Sequence, residues 1–179
     1  MLASIEPFVS EMEARAKRSA VVPLRPEHVE YLMPRVAIFD EDTVREHWGS
    51  GATEMLQLAV RSSVLAWAGL VDGLPICAFG LHASITSDTA IAWLIPTPEV
   101  RRHRRLFWRA SREVVAMMLD RFPHLVVHCQ ANYDASRKWL ERLGFVEIPN
   151  ASFHVAHQRT TPKAFVPGIG FSTLHLTRT

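Results

Sequence analysis

The sequence predicts an α/β (α+β) fold, with a mixed, mostly antiparallel central sheet and helices on both faces. Its 179 residues are 48% apolar and 21% charged, the composition of a globular domain that buries about 70% of its unfolded surface. Apolar residues switch between strand-like and helix-like spacing in the order β-α-α-β-β-β-α-β-α-β-β, which predicts layers of helix around a sheet. Asp72-Gly73 joins two apolar runs and is a strong signal for a β-hairpin.

The chain divides into an N-terminal extension, residues 1–19, and a single domain, residues 20–179. The extension is predicted to be an amphipathic helix, because its apolar residues recur every three or four positions (Leu2, Ile5, Val9, Met12 and Ala16). No Gly/Ser-rich linker interrupts the rest of the chain, so one domain is expected there.

The first half of the domain is predicted to hold two helices and four strands. A strand over 20–25 precedes a helix from Pro26 to Met33, where proline suits the first helical position. A second helix lies within 40–62. Strands follow at 64–71, 74–81 and 90–95.

The longest helix is predicted within 98–122 and carries two stripes. One stripe is apolar (Val100, Phe107, Ala110, Val114, Met117 and Met118), and the other is basic (Arg101, Arg105, Arg109 and Arg112). A buried strand is expected at 125–129 and a helix at 133–143. Asn132 would cap that helix and Gly144 would end it. Two further strands are expected near 152–157 and 171–177.

The positive charge is concentrated in one region. The net charge is only +2, which excludes a generally basic nucleic-acid coat, but six of the 17 arginines fall between Arg101 and Arg112. Arginine suits planar contacts to phosphate and carboxylate. A coding bias explains why arginine outnumbers the three lysines, but it does not explain the clustering.

The remaining composition points to a reducing compartment and no membrane segment. Cys77 and Cys129 lie in apolar strand-like runs, where free cysteine behaves as a small hydrophobic residue. No apolar stretch approaches 18 residues, and the first residues lack the pattern of a secretory signal.

The stretch from Asn132 to Phe145, ending in Leu-Gly-Phe, resembles the late helix of the GNAT N-acetyltransferase superfamily. The element order resembles that fold over residues 20–179. The resemblance implies a turn before the long helix that binds the pyrophosphate of acetyl-CoA. Arg101 matches the first position of that turn, but Arg104 and Leu106 stand at its two glycine positions. If acetyl-CoA binds, Arg101, Arg102, Arg104, Arg105 and Asn132 are the expected contacts; the alternative is a docking surface.

The resemblance also implies a base on the sheet and a tyrosine acid on the late helix. Trp139 and Leu140 occupy the usual tyrosine region, and no carboxylate lies in the strand at 90–95. Tyr133 and Glu147 are the candidate catalytic residues, with His82 and His128 as other bases. No metal site is predicted, because His124-x3-His128 and His154-x2-His157 lack further ligands at zinc-site spacing.

A second resemblance rests on Trp93–Thr97, Glu99–Arg101, Phe122–Leu125 and a closing segment from Gly170 to Thr177. These segments resemble the internal virion protein A family of short-tailed, autographivirus-type bacteriophages, whose members have a GNAT-like fold. The resemblance implies a virion assembly protein that contacts other phage virion proteins and is found in the virion, the host cytoplasm or both.

Two functions therefore follow from the sequence. The first is a virion-associated or assembly protein on an acetyltransferase-like scaffold with degraded acetyl-CoA and catalytic motifs, which requires no cofactor. The alternative is an acetyl-CoA-dependent N-acetyltransferase acting on a protein or a small amine. Contact with nucleic acid through the Arg101–Arg112 stripe is a third expectation, and it predicts affinity that falls steeply with salt.

Overall fold

The computed structural model describes residues 19–36, 52–84, 86–130, 134–148 and 171–178. Several predicted features lie outside these residues: the helix of the N-terminal extension up to residue 18, the start of the helix within 40–62, Asn132, Tyr133 and the strand near 152–157. Ser19, which the sequence assigned to the extension, begins the first strand.

Seven strands and five α-helices make up the described part of the chain. The strands are β1 (Ser19–Pro23), β2 (Leu65–Val71), β3 (Leu74–Ala83), β4 (Thr89–Pro96), β5 (His124–Gln130), β6 (Val146–Glu147) and β7 (Phe171–Thr177). The helices are α1 (Pro26–Leu32), α2 (Ala52–Ser62), α3 (Glu99–Arg102), α4 (Arg104–Arg121) and α5 (Asp134–Arg142), with a 3₁₀ turn at Met33–Arg35.

The strands form one sheet in the order β1-β2-β3-β4-β5-β7-β6. All neighbours are antiparallel except β4 and β5, which run parallel. The predicted mixed, mostly antiparallel sheet is therefore confirmed.

The predicted hairpin joins β2 to β3. Asp72 and Gly73 have φ values of 49° and 80°, the left-handed pair that a two-residue type I′ turn requires. Both residue types tolerate positive φ, so the sequence encodes this turn locally.

Helices cover both faces of the sheet, as predicted. Because side chains alternate along a strand, Cys77, Phe79 and Leu81 of β3 face α4 and α5, whereas Ala78 faces α1 and α2. The first face carries the larger core, which includes Met118 of α4, Leu125 of β5, Leu140 of α5 and Leu174 of β7.

Helix α5 ends as the sequence predicted. Gly144 has a φ of +96°, and its N–H donates to the carbonyl of Glu141 at 3.0 Å. The N–H of Phe145 donates to the carbonyl of Leu140 at 3.1 Å. This is the Schellman arrangement, and it turns Phe145 into the core.

The longest helix lies within the predicted range 98–122, but it begins only at Arg104, after Val100 and Arg101. The chain forms α3, breaks at His103 with φ −105° and ψ 29°, and begins α4 at Arg104. The two stripes are changed accordingly: Arg101 precedes the break and is not on the same helix as Arg105, Arg109 and Arg112, and Met117 of the apolar stripe is 41% exposed.

Candidate functional site

The two halves of the sheet separate between β4 and β5. Their parallel pairing runs only from Thr89 opposite His124 to Ala92 opposite Val127. Beyond that point β4 continues to Pro96 on β3, and β5 continues to Gln130 on β7. Among the described residues, the facing edges of the two strands have no partner strand beyond Ala92 and Val127. We call this gap the wedge. Backbone groups along an unpaired strand edge can bind an extended ligand that carries amides.

The chain at the mouth of the wedge is fixed by one buried residue. Thr97 directly follows β4, and both its backbone N–H and its hydroxyl donate to the carbonyl of Ile76 at 2.8 Å. Helix α3 starts after Pro98 with no side-chain cap.

Helix α4 begins next to the wedge with its N-terminus uncapped. The first intrahelical bond runs from the N–H of Phe107 to the carbonyl of His103, at 2.9 Å. The N–H groups of the first turn have no partner within the helix, and no side chain caps them. Residues 102–106 line a concavity of about 320 Å³ at this turn, so the side chains of Arg104 and Leu106 leave it open.

Positive charge surrounds this turn. Arg102 is paired with Glu99 at 2.9 Å. Arg101, Arg104 and Arg105 are exposed, and the described part of the chain supplies none of them with an ion pair. No acidic residue lies in the first turn of α4, where the helix dipole favours negative charge and opposes positive charge. An anion bound at the turn would accept hydrogen bonds from the free N–H groups. Its charge would also offset the positive end of the helix dipole and the positive charge of the arginines.

A second cavity lies under α4, between that helix and the sheet. Its volume is about 260 Å³, and its lining is predominantly apolar, including Phe79, Val114 and Met118. The cavity is partly open, so a ligand can enter it from outside.

Of the two candidate catalytic residues, only Glu147 lies in the described part of the chain. Glu147 is exposed on the edge strand β6, opposite Leu174 of β7, and Tyr133 lies outside the described residues. Trp139 stacks on Phe107, with ring centroids 5.4 Å apart, and Leu140 is buried in the core. Neither residue can supply the acid that a tyrosine would.

His128 and His82 are placed differently. His128 is the first residue of β5 beyond the parallel pairing, and burial lowers the pKa of its imidazole. Burial therefore favours the neutral form of the ring, which can act as a base. His82 on β3 stacks against Trp93 at 6.1 Å, and its buried Nδ1 has no hydrogen-bond partner among the described residues.

The two cysteines are free thiols. Burial raises the pKa of Cys77 to about 12. Burial also raises the pKa of Cys129, and the carboxylates of Glu147 and Glu141 act in the same direction against the opposing charge of Arg137. Neither thiol has the lowered pKa that marks a nucleophile.

Metal ligation has no support in the described part of the chain, where no three metal-ligating side chains come together. His124 stacks on His175, with ring centroids 5.6 Å apart, and His154 and His157 lie outside the described residues. Among the described residues, no helix combines the length and apolar character needed to cross a bilayer.

Comparison with known proteins gives matches in structure but not in sequence. No family model and no curated protein matches the sequence. The ribosomal-protein-S18-alanine N-acetyltransferase of Escherichia coli superimposes with a TM-score of 0.61 at 13% identity, over 89% of this chain and 93% of its own. The chain has the GNAT fold.

Two further GNAT structures agree. A GNAT-family acetyltransferase of Bacillus anthracis gives a TM-score of 0.60 at 9% identity, over 89% of this chain and 95% of its own. A GCN5-related N-acetyltransferase of Kribbella flavida gives a TM-score of 0.58 at 13% identity, over 91% of this chain and 99% of its own. The GNAT resemblance seen in the sequence is thus confirmed at the level of fold. None of these matches bears on the resemblance to the phage family, which stays a prediction.

Proposed function

We propose that the protein binds acetyl-CoA, with the phosphates of the coenzyme at the first turn of α4 and its pantetheine arm in the wedge. The observation that carries the proposal is the break at His103, which starts α4 afresh beside the wedge. A continuous helix from residue 98 would have no free N–H groups at this point.

The chemistry of coenzyme A fits both parts of the site. Its pyrophosphate is an anion that suits free helical N–H groups, and Arg101, Arg104 and Arg105 can add charge-assisted hydrogen bonds. Its pantetheine arm carries two amides, which can pair with the backbone of β4 beyond Ala92. Arginine side chains thus supply charge at a turn that the GNAT pattern builds from glycine.

Calorimetry of the full chain with acetyl-CoA tests this proposal. The double variant Arg101→Ala/Arg104→Ala should weaken binding by about ten- to a hundredfold. Each charge-assisted hydrogen bond contributes about 1.5–3 kcal/mol, and screening by solvent and salt lowers that contribution at an exposed site. The control is Arg109→Ala/Arg112→Ala, which removes the same charge further along α4 and should change the affinity less than threefold. Absence of binding at millimolar acetyl-CoA would overturn the proposal.

Transfer of the acetyl group to an amine is the second candidate function, and the position of His128 favours it. An amine must lose a proton before it attacks the thioester, and burial favours the neutral imidazole of His128 where β5 parts from β4. His128→Gln should then lower the turnover of an amine acceptor at least a hundredfold without weakening acetyl-CoA binding. If this variant turned over the amine acceptor as fast as the unsubstituted protein, His128 would be excluded as the base.

A virion role is a separate proposal about partners, and it rests on the sequence resemblance. The exposed arginines of α4 and the GNAT-like scaffold are compatible with a docking protein that lacks turnover. Mass spectrometry of purified particles of the phage that encodes this sequence should detect the chain in every preparation. Its absence from the particles would contradict the virion role and leave acetyl-CoA binding untouched.

A further inference from the structure

We propose that the preferred ligand is an acyl-CoA with a medium-length acyl chain of about eight carbons, which lies in the apolar cavity under α4. This inference rests on the proposed binding of the coenzyme and adds the class of acyl group. It follows from the position, volume and lining of that cavity.

The apolar cavity adjoins the phosphate-binding turn. Leu106 lines both the concavity at the start of α4 and the cavity beneath the helix. One ligand could therefore place an anionic group outside Leu106 and an apolar group behind it. Coenzyme A thioesters have this distribution of charge, whereas free acetyl-CoA offers too small an apolar group to fill the cavity.

The cavity also reaches the base of the wedge. Ala92 and Val127, the last paired residues of β4 and β5, both line it. From there it extends under α4 to Ala20 of β1 and Gly69 of β2. A thioester at the base of the wedge could thus direct its acyl chain away from solvent along the sheet.

The volume sets the length of the chain. An apolar cavity of about 150 Å³ holds the six carbons of benzene. By proportion, 260 Å³ holds about ten carbon-sized atoms, which is enough for an octanoyl group. The predominantly apolar lining favours an apolar occupant.

One polar atom in this region lacks a partner. Trp139 lines the cavity, and its indole Nε1 is buried with no hydrogen-bond partner among the described residues. The thioester carbonyl of a bound acyl-CoA would accept a hydrogen bond from it. Trp139 is in this sense a positioning residue for the carbonyl, held by its stacking on Phe107.

Calorimetry with coenzyme A, acetyl-CoA and octanoyl-CoA tests the inference on the full chain. Each buried methylene contributes about fourfold in affinity, so octanoyl-CoA should bind at least thirtyfold more tightly than acetyl-CoA. Equal affinities for the two thioesters would overturn the inference while leaving the proposed function intact. Failure of all three ligands to bind would instead reject the proposed function.

Filling the cavity provides the second test. Ala110→Phe places a ring in the cavity and should lower octanoyl-CoA affinity at least tenfold. Ala116→Phe is the control, since Ala116 is exposed on the same helix and does not line the cavity. It should leave the affinities for octanoyl-CoA and acetyl-CoA unchanged. Val114→Phe fills the same cavity from another turn of α4 and replaces the first variant if that one does not fold. An octanoyl preference that survives both cavity variants would overturn the inference.

Trp139→Phe separates the hydrogen bond from packing. The variant keeps an aromatic ring on Phe107 but loses the donor. It should weaken octanoyl-CoA and acetyl-CoA by about fivefold and leave coenzyme A, which has no thioester carbonyl, unchanged. An equal loss for all three ligands would show a purely structural role for Trp139.

Discussion

The two faces of the sheet are packed differently. On the face of α1 and α2, Leu32 and Leu56 are fully buried against Ala78 and Ile95. On the face of α4 and α5, a larger apolar cluster surrounds a cavity of about 260 Å³. Tight packing stabilises the scaffold on one side, and loose packing leaves room for a ligand on the other.

Trp93 shows how the tight face achieves its fit. Its indole N–H donates to the hydroxyl of Ser63 at 2.7 Å, and its ring lies over Gly80. A Cβ at Gly80 would come within 2.7 Å of that ring and 2.6 Å of the carbonyl oxygen of Leu65, so only glycine fits there. The indole thereby links β4 to the end of α2 through a directional contact.

The largest expected difference between the faces is the cost of truncating a leucine. Leu32→Ala should lower the free energy of unfolding by about 3 kcal/mol, because the side chain is fully buried and leaves a new cavity. Leu106→Ala should cost about 1 kcal/mol, since part of its side chain already faces empty space. Urea unfolding of both variants measures the difference. Equal costs would mean that the α4 face is as tightly packed as the other.

Enlarging an alanine should have opposite effects on the two faces. Ala78→Leu overfills the tight face and should destabilise the protein by about 2 kcal/mol. Ala110→Leu fills part of the cavity and should stabilise the protein, measured without ligand, by about 0.5–1 kcal/mol. Thermal unfolding of the pair checks the signs. Destabilisation by both variants would indicate that the cavity is already occupied by the chain itself.

Much of the fold could be predicted from the sequence, because its signals are local. Asp72-Gly73 encodes the hairpin, and Gly144 encodes the end of α5. The break at His103 could not be predicted, since the arginines and Leu106 around it favour a continuous helix. The cavity was missed for a similar reason: Val114 and Met118 follow the helical spacing of any core-facing helix, and spacing carries no information on how closely the helix approaches the sheet.

Removing the acceptor of the Trp93 hydrogen bond should have a smaller effect. Ser63→Ala leaves the partly buried indole N–H without its partner and should lower the free energy of unfolding by about 1 kcal/mol. Ser62→Ala is the matched control: its hydroxyl donates to the carbonyl of Leu58 on the exposed side of α2, so a change below 0.5 kcal/mol is expected. Denaturant titration compares the two, and equal losses would contradict a specific role for the indole contact.

The smallest effect at neutral pH concerns Cys77, whose side chain lines the cavity. Burial raises its pKa from 9.0 to about 12, so the folded state holds the thiol proton more tightly than the unfolded state does. Its contribution to stability is complete below pH 9 and is lost as the pH rises from 9 towards 12. Cys77→Ala should therefore reduce the alkaline loss of stability and leave the stability at pH 7 within about 1 kcal/mol. Thermal unfolding at pH 7 and pH 10.5 measures this, and an alkaline loss identical to that of the unsubstituted protein would show that water reaches the thiol through the cavity.

The separation of β4 from β5 also bears on the order in which the molecule folds. Short connections join β2 to β3 and β3 to β4, and these strands pair with each other. In contrast, two helices separate β5 from its partner β4, and a long segment separates it from its partner β7. Local pairing closes short loops and is kinetically favoured over pairing of distant segments. The meander of β2–β4 is therefore expected to form early and the β5–β7 unit to join it late. A site at the junction of these two units would be completed only in the last step, so that ligand binding reports on the fully assembled protein.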